Sequence, residues 1–497
     1  MKTLYYTILL LLCTSGLMAQ TEADALRYSR IFPFGSARVT AMGGAFGALG
    51  GDLSVATMNP GGIGVFRSSE ISFTSVLDFT HSKSGNRDME KNPYLIGNLG
   101  FVIAFHPIHE KWKNINFAFN YTNLNNFNRN IYQGGYINDK NSLLDVWLME
   151  ANGLDRNSLN EFTTSLAYDA YLIKLQPESK NQYEIPIVAG DSMRQSNYIR
   201  ERGFQGEYAL SVGANYDDKF YFGATLGIQN IHYKHYSTYM ETVEGKEIDS
   251  KLMWFDFVQD YTTSGVGINF KVGAIYRPIP ELRLGLAIHT PTYYSLTDKV
   301  TNGAYSQFIE PPAGEEKTQW GNHASASFDY NLKTPWRFIA SIATVLGQRA
   351  ILSVDYEFVD YSSAKFSGGD GLNYYGTEDI NGDYIPGAND MIKYVYRNTN
   401  NLRAGAEFRV SSVLSLRGGY SYTASPYKKG ELNEKNDIQT ISGGLGFNFN
   451  SLYVDLAYMR KYSKEQSLFY AYKEIESPVI QTKYQDNQFR LTVGIRF

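Results

Sequence analysis

The sequence predicts an all-β fold, a transmembrane antiparallel β-barrel of about 14 strands with an N-terminal plug in its lumen. Three observations predict it: a strand-rich composition, period-two alternation of apolar and polar residues, and connectors that are alternately short and long. Tyr (39), Phe (29) and Gly (45) are abundant while Pro (15) is scarce, a balance that suits strands. Beyond the amino terminus no stretch approaches the roughly 18 unbroken apolar residues of a spanning helix, so a closed barrel is the remaining way through a bilayer. With a net charge of −4 and both signs interspersed, the chain offers no basic run for nucleic acid.

At the amino terminus, Lys2 precedes an apolar run from Leu4 to Leu12 and then Gly16, Leu17, Met18 and Ala19. Residues 1–19 therefore read as a secretory signal peptide cleaved after Ala19, since the run is about ten residues long and too short to span. Lipid attachment at Cys13 is the rival, but Leu12 stands where a small residue belongs. Because Cys13 is the one cysteine, the mature chain has no disulfide and no thiol nucleophile or metal ligand.

Alternation is clearest near the carboxy terminus. Leu402, Ala404, Ala406, Phe408 and Val410 alternate with Arg403, Gly405, Glu407 and Arg409, and Phe489, Leu491, Val493, Ile495 and Phe497 with Gln488, Arg490, Thr492, Gly494 and Arg496. Apolar outward and polar inward is the barrel pattern. Strands are expected at 68–81, 94–106, 112–136, 202–216, 220–239, 263–276, 283–294, 322–346, 351–361, 394–410, 413–423, 439–449, 452–462 and 485–497. In 322–346, Leu332 to Pro335 reads as either a kink or a turn. Short turns such as Asp217-Asp218-Lys219 alternate with long polar loops at 137–201, 240–262, 295–321, 362–393 and 463–484. A soluble sandwich also alternates, but has no reason to sort its loops by length.

Residues 20–67 differ, with Gly43, Gly44, Gly47, Gly50, Gly51, Gly61, Gly62 and Gly64 around short apolar pieces. Such density lets backbone approach backbone, as a segment threaded inside a lumen requires. A phosphate-binding loop would need a strand–loop–helix frame and a following Lys-Ser/Thr, and has neither. The barrel itself would occupy 68–497.

The chain resembles the outer-membrane transporters of long-chain fatty acids and aromatic hydrocarbons, the FadL and TodX type. The resemblance lies in Gly35-Ser36-Ala37-Arg38, Ala41-Met42-Gly43-Gly44-Ala45-Phe46 and Met58-Asn59-Pro60-Gly61-Gly62-Ile63. The family's Asn-Pro-Ala signature stands here as Asn59-Pro60-Gly61, departing at the third residue. Further matches are Thr334-Pro335-Trp336-Arg337-Phe338 and Leu402-Arg403-Ala404-Gly405-Ala406-Glu407 leading to Leu416-Arg417-Gly418-Gly419-Tyr420. The resemblance implies a 14-stranded barrel with a hatch that moves, involving Gly43, Gly44, Phe46, Asn59, Pro60 and Gly61. A hydrophobic molecule would be captured outside, pass to a pocket and leave sideways into the bilayer, with no cofactor or metal.

Within 137–201, Leu143, Leu144, Trp147 and Leu148 recur at helical spacing, and Ser158 with Glu161 forms a capping-box pattern before Phe162 and Leu166. These six apolar residues are either a capture groove or a self-packed lid. Arg403, Glu407, Arg409, Arg417 and Arg490 are candidate lumen charges, able to hold a carboxylate or to pair among themselves. Asp379, Asn381, Asp383 and Asp390 partly mimic a calcium loop, although Tyr384 occupies the glycine position. The expected partners are the outer-membrane bilayer and a small hydrophobic ligand, the expected state a monomer in the bacterial outer membrane. A barrel serving protein secretion is the alternative function. An enzyme has little support, because no recognisable Ser or Asp motif accompanies the seven histidines.

Overall fold

The computed structural model describes residues 21–497 except 33, 109, 188–191, 245–250, 311, 316, 348, 370–373, 375–376, 379–383 and 474. The expected signal peptide, and Asp379, Asn381 and Asp383 of the calcium-like stretch, lie outside the described residues. Asp390 sits in the first turn of a helix, where its carboxylate accepts from the Tyr384 hydroxyl at 2.9 Å and the Gly387 N–H at 3.3 Å.

Fourteen antiparallel strands close on themselves. They are β1 (Glu70–Ser84), β2 (Arg87–Lys91 and Tyr94–Phe105), β3 (Trp112–Asn126 and Arg129–Asn138), β4 (Ser192–Tyr216), β5 (Phe220–Glu244), β6 (Leu252–Ile279) and β7 (Leu282–His289 and Tyr293–Phe308). Then follow β8 (Gln319–Lys333 and Arg337–Leu346), β9 (Ala350–Asp360), β10 (Asn398–Arg409), β11 (Leu414–Thr423), β12 (Ile438–Phe449), β13 (Leu452–Ser467) and β14 (Ile480–Arg496). Each strand pairs with the next, and β14 returns to β1 from Glu70↔Arg496 to Ser84↔Thr482, so the sheet has no end. No described helix is long and apolar enough to cross a membrane; the strands cross instead.

The outward face carries Ile71, Phe73, Phe101, Leu210, Phe270, Leu402 and Phe408, all exposed, while Arg403, Glu407 and Thr492 are buried inside. Aromatic pairs at the short-turn end, Trp112 with Tyr216 (5.1 Å between centroids) and Phe220 with Tyr276 (4.7 Å), mark one rim of the apolar band.

Several expected boundaries are corrected. β5, β6 and β7 run on to Glu244, from Leu252 and to Phe308, so the loops expected at 240–262 and 295–321 shrink to about their tips. At 28 residues, β6 is more than twice the roughly 10 a tilted strand needs to cross. Above the bilayer the alternation changes sign: Tyr233, Tyr239, Phe255 and Phe257 are buried inside, while Lys234 and Asp260 face out as an ion pair at 3.3 Å. Water on the outer side and a lid on the inner side explain the reversal. The expected strand 112–136 breaks at 127–128, the expected strand 394–410 begins only at Asn398, and Thr334–Trp336 is a kink.

Inside the barrel lie α1 (Glu22–Ser29), α2 (Ala37–Ala41) and two 3-10 turns, Leu53–Thr57 and Pro60–Val65. Outside, α3 (Leu143–Ala151) and α4 (Thr164–Asp169) roof the long strands, and α5 (Ala388–Val395) packs beside α1. The Ser158–Glu161 capping box does not form, because Ser158 ends a short 3-10 turn and α4 begins at Thr164. The box instead caps α3, where Ser142 Oγ accepts from Leu144 N–H at 3.0 Å and the Asp145 carboxylate from Ser142 N–H at 2.8 Å.

Candidate functional site

Residues 34–64 are almost wholly buried against the inner wall. Gly43, at φ +64°, meets the Tyr420 backbone and the Ala404 carbonyl where a Cβ would stand at 2.7–3.0 Å; a side chain there would be both strained and in collision. Across the lumen, Gly223 lies against Pro60, with the proline carbonyl at 2.0 Å from its would-be Cβ. Two backbones therefore touch at opposite sides of the barrel, as the glycine density of the sequence implies.

Barrel side chains satisfy the plug's backbone. Asp355 accepts from Phe46 N–H (3.0 Å) and Gly47 N–H (2.9 Å), Asn116 donates to the Ile63 and Phe66 carbonyls (2.7 and 2.9 Å), and a His289 ring nitrogen meets the Met58 carbonyl at 2.6 Å. Within the plug, Asn59 Nδ2 donates to the Gly47 carbonyl (2.6 Å) and the Ala274 carbonyl (3.2 Å), while its Oδ1 accepts from Gly61 N–H (3.0 Å). Asn59 so ties two glycine turns to each other and to β6, and Pro60 starts a 3-10 turn in which the missing N–H costs nothing.

Four of the five candidate lumen charges are structural. Glu407 accepts from Arg38 of α2 (2.9 and 3.1 Å) and from Arg417 (2.7 Å), Arg417 also reaches Asp455, and Arg403 holds Glu357 at 2.8 Å. Arg490 donates to the Phe34 and Gly35 carbonyls. Arg409 is exposed and lines a cavity of about 250 Å³ beneath the plug on the short-turn side.

Above the plug lies a cavity of about 360 Å³, walled by Phe127, Phe257, Tyr239 and Leu468 but also by Arg27, Arg30, Arg129, Lys461, Glu201 and Glu465. Most of these charges are engaged: Arg27 with Asp24, Lys461 with Asp486 (2.7 Å), and Glu201 with the Tyr233 hydroxyl. Arg30 is different, with buried Nε and Nη2 atoms that meet no hydrogen-bond partner among the described residues. Beside this cavity, burial pushes the Glu22 carboxyl of α1 up to about 8, and Asp24 adds to the shift.

Of the six loop residues, Leu143 alone lines this cavity. Leu144, Trp147 and Leu166 are buried in the lid's own core, Trp147 edge-on to Phe257 at 5.4 Å; Leu148 packs on that core, and Phe162 is half-buried with its carbonyl held by Asn302 at 3.1 Å. Glu241 of β5 anchors the lid by accepting from Ser142 Oγ (2.5 Å) and Leu143 N–H (2.9 Å) at the start of α3.

The wall has a seam. β2 and β3 pair from Phe105↔Ile115 to Asn98↔Thr122; farther out, β2 pairs with β1 and β3 with β4, and no backbone ladder joins β2 to β3, although their outer segments still touch, Asn130 donating to the Glu90 carbonyl at 2.9 Å. Pro93 in β2 and the break at 127–128 in β3 interrupt the ladder between the two strands. Behind the seam is a cavity of about 30 Å³ lined by Leu95, Gly97 and Val76 on one side, Leu124 on the other, and Phe34 at the back. Phe32, Asn125, Asn126 and Lys461 line both cavities.

A closed barrel with a plugged lumen, an inner cavity and an interrupted ladder in its wall defines a membrane-spanning β-barrel. The family model described as outer membrane protein transport protein (OMPP1/FadL/TodX) matches residues 218–492, more than half of the chain, and the chain belongs to that family, one of transport proteins and not enzymes. Similar solved structures are a Pseudomonas aeruginosa FadL homologue (13% identity, 94% of this chain and 99% of that one, TM-score 0.58) and the Pseudomonas putida toluene transporter TodX (12%, 93% and 98%, 0.52). A third is the Ralstonia pickettii toluene transporter TbuX (13%, 93% and 99%, 0.50). At such identities the likeness speaks for the fold. A comparison with curated proteins finds no match.

Proposed function

We propose that this protein carries small amphipathic molecules with long apolar tails, long-chain fatty acids in the first place, passively across the outer membrane. The lid admits them to the inner cavity, and they leave sideways through the seam between β2 and β3. The observation that carries this reading is the seam itself, because an unpaired stretch backed by a cavity is an outlet to lipid. For a fatty acid that route avoids water, where each exposed methylene costs about 0.8 kcal/mol. The Arg30 guanidinium, whose buried Nε and Nη2 meet no hydrogen-bond partner among the described residues, suits a carboxylate head, and the aromatic walls suit the tail. Toluene transport by two of the similar structures supports a hydrophobic cargo. Movement of the plug around Gly43, Gly44, Phe46, Asn59, Pro60 and Gly61 would join the two cavities, with Phe32 as the residue displaced.

The test fills the seam. In cells that depend on this barrel for oleate uptake, Leu95→Trp should cut the uptake rate at least fivefold with the barrel still folded by heat-modifiable gel mobility. Unchanged uptake by a folded Leu95→Trp barrel sinks the lateral route.

A further inference from the structure

The outer surface carries a row of lysines that the transport path does not use. In the sheet register Lys464 of β13 lies directly opposite Lys483 of β14, and Lys483 directly opposite Lys83 of β1. All three are exposed on the outward face. Directly opposed side chains on one sheet face have Cβ atoms about 5 Å apart, and like charges so placed repel. Lys83 has Asp88 at 3.7 Å, but neither Lys464 nor Lys483 has an ion pair among the described residues. Two uncompensated cations beside a third that has one carboxylate partner are a standing cost to this part of the sheet, and an anion is what would remove it.

Their height on the barrel says which anion. Six residues below the row on each strand are Tyr458, Phe489 and Leu77, which are exposed and mutually opposed, with Tyr458 and Phe489 rings 5.1 Å apart. This is the upper edge of the apolar band. At about 3.3 Å per residue the lysines stand about 20 Å farther along the tilted strands, just above the bilayer. Between them, Tyr462 and Arg460 of β13 face outward, the Arg460 guanidinium bonded to Gln485 at 2.5 Å. A lipid lying there would have its acyl chains against Phe489, its sugar beside Tyr462 and a phosphate at the lysines.

We propose that this face binds a phosphorylated glycolipid of the outer leaflet, with its phosphates held by Lys83, Lys464 and Lys483. The site is independent of the transport reading. It needs only that the barrel sits in an outer membrane, where basic residues near a charged headgroup layer attract it and salt weakens the attraction.

The full-length barrel, purified in mild detergent, is incubated with lipid A carrying both phosphates and with the same lipid enzymatically dephosphorylated, and bound lipid is counted by native mass spectrometry. Wild type should hold the phosphorylated lipid at least tenfold tighter than the dephosphorylated one. The triple variant Lys83→Ser, Lys464→Ser, Lys483→Ser should lose that preference, while Lys140→Ser with Lys180→Ser, in the lid loop, should keep it. Equal retention of both lipids by wild type, or an unchanged preference in the triple variant, overturns the proposal. So does displacement of the lipid by inorganic phosphate at equal concentration, which would mark a free-anion site.

Discussion

At the scale of the residue, the account turns on which polar groups are satisfied. Asn59 makes three hydrogen bonds that join two plug turns and β6. At about 1 kcal/mol net each, Asn59→Ala should loosen the plug by about 2–4 kcal/mol. A cysteine placed at Ala45 in that variant should then react with a maleimide at least tenfold faster than in the parent; an equal rate would mean the plug is held elsewhere. Arg30 predicts substrate choice: Arg30→Met should weaken oleate binding about tenfold and leave toluene binding unchanged, measured by calorimetry. The sequence made the glycines and Asn59 legible because backbone contact and caps are local in their demands. Arg30 could not be picked out, since whether its Nε and Nη2 find hydrogen-bond partners depends on what Asp, Glu and carbonyl groups from distant strands bring near. By the same logic Arg403, Glu407, Arg417 and Arg490 were legible as inward charges but not as pins already in use.

Elements show where local pattern ends and environment begins. α3 was legible from Leu143, Leu144, Trp147 and Leu148, but whether its oily face packs or captures depends on Phe255 and Phe257, about 110 residues away, which seal most of it. Trp147→Ala should cost the lid about 3–5 kcal/mol and raise its susceptibility to protease without unfolding the barrel. The outer halves of β5, β6 and β7 were read as loops because their apolar side faces inward there, opposite to the membrane part. α1 carries a pH dependence. Glu22 has its folded value raised from near 4.5 to about 8, so the protonated carboxyl favours docking. That stabilisation is complete below about 4.5 and fades as the pH rises through 8. Amide exchange across 22–29, corrected for intrinsic rate, should therefore speed up between pH 5 and 9, and Glu22→Gln should flatten the profile.

The whole molecule is a closed wall around a filled lumen, and its strand count was legible because alternation and connector length are repeated fourteen times. The seam was not. It arises from Pro93 and the break at 127–128 acting on two neighbouring strands, a relation that exists only once β2 and β3 are paired. The lysine row is of the same kind: Lys464 and Lys483 are neighbours through the pairing of β13 with β14, and Lys83, about 400 positions earlier in the sequence, joins them only by closure of β14 on β1. The central claim is that cargo passes from the inner cavity through this seam. Its most direct test is to incubate the purified barrel with a fatty acid bearing a diazirine on its tail, irradiate, and map the labelled residues by mass spectrometry. The account predicts labels on Phe257 and Leu468 in the cavity, on Phe32, and on Leu95 and Leu124 at the seam. Labels confined to the lipid-facing wall, on residues such as Phe101 and Leu210, would contradict it.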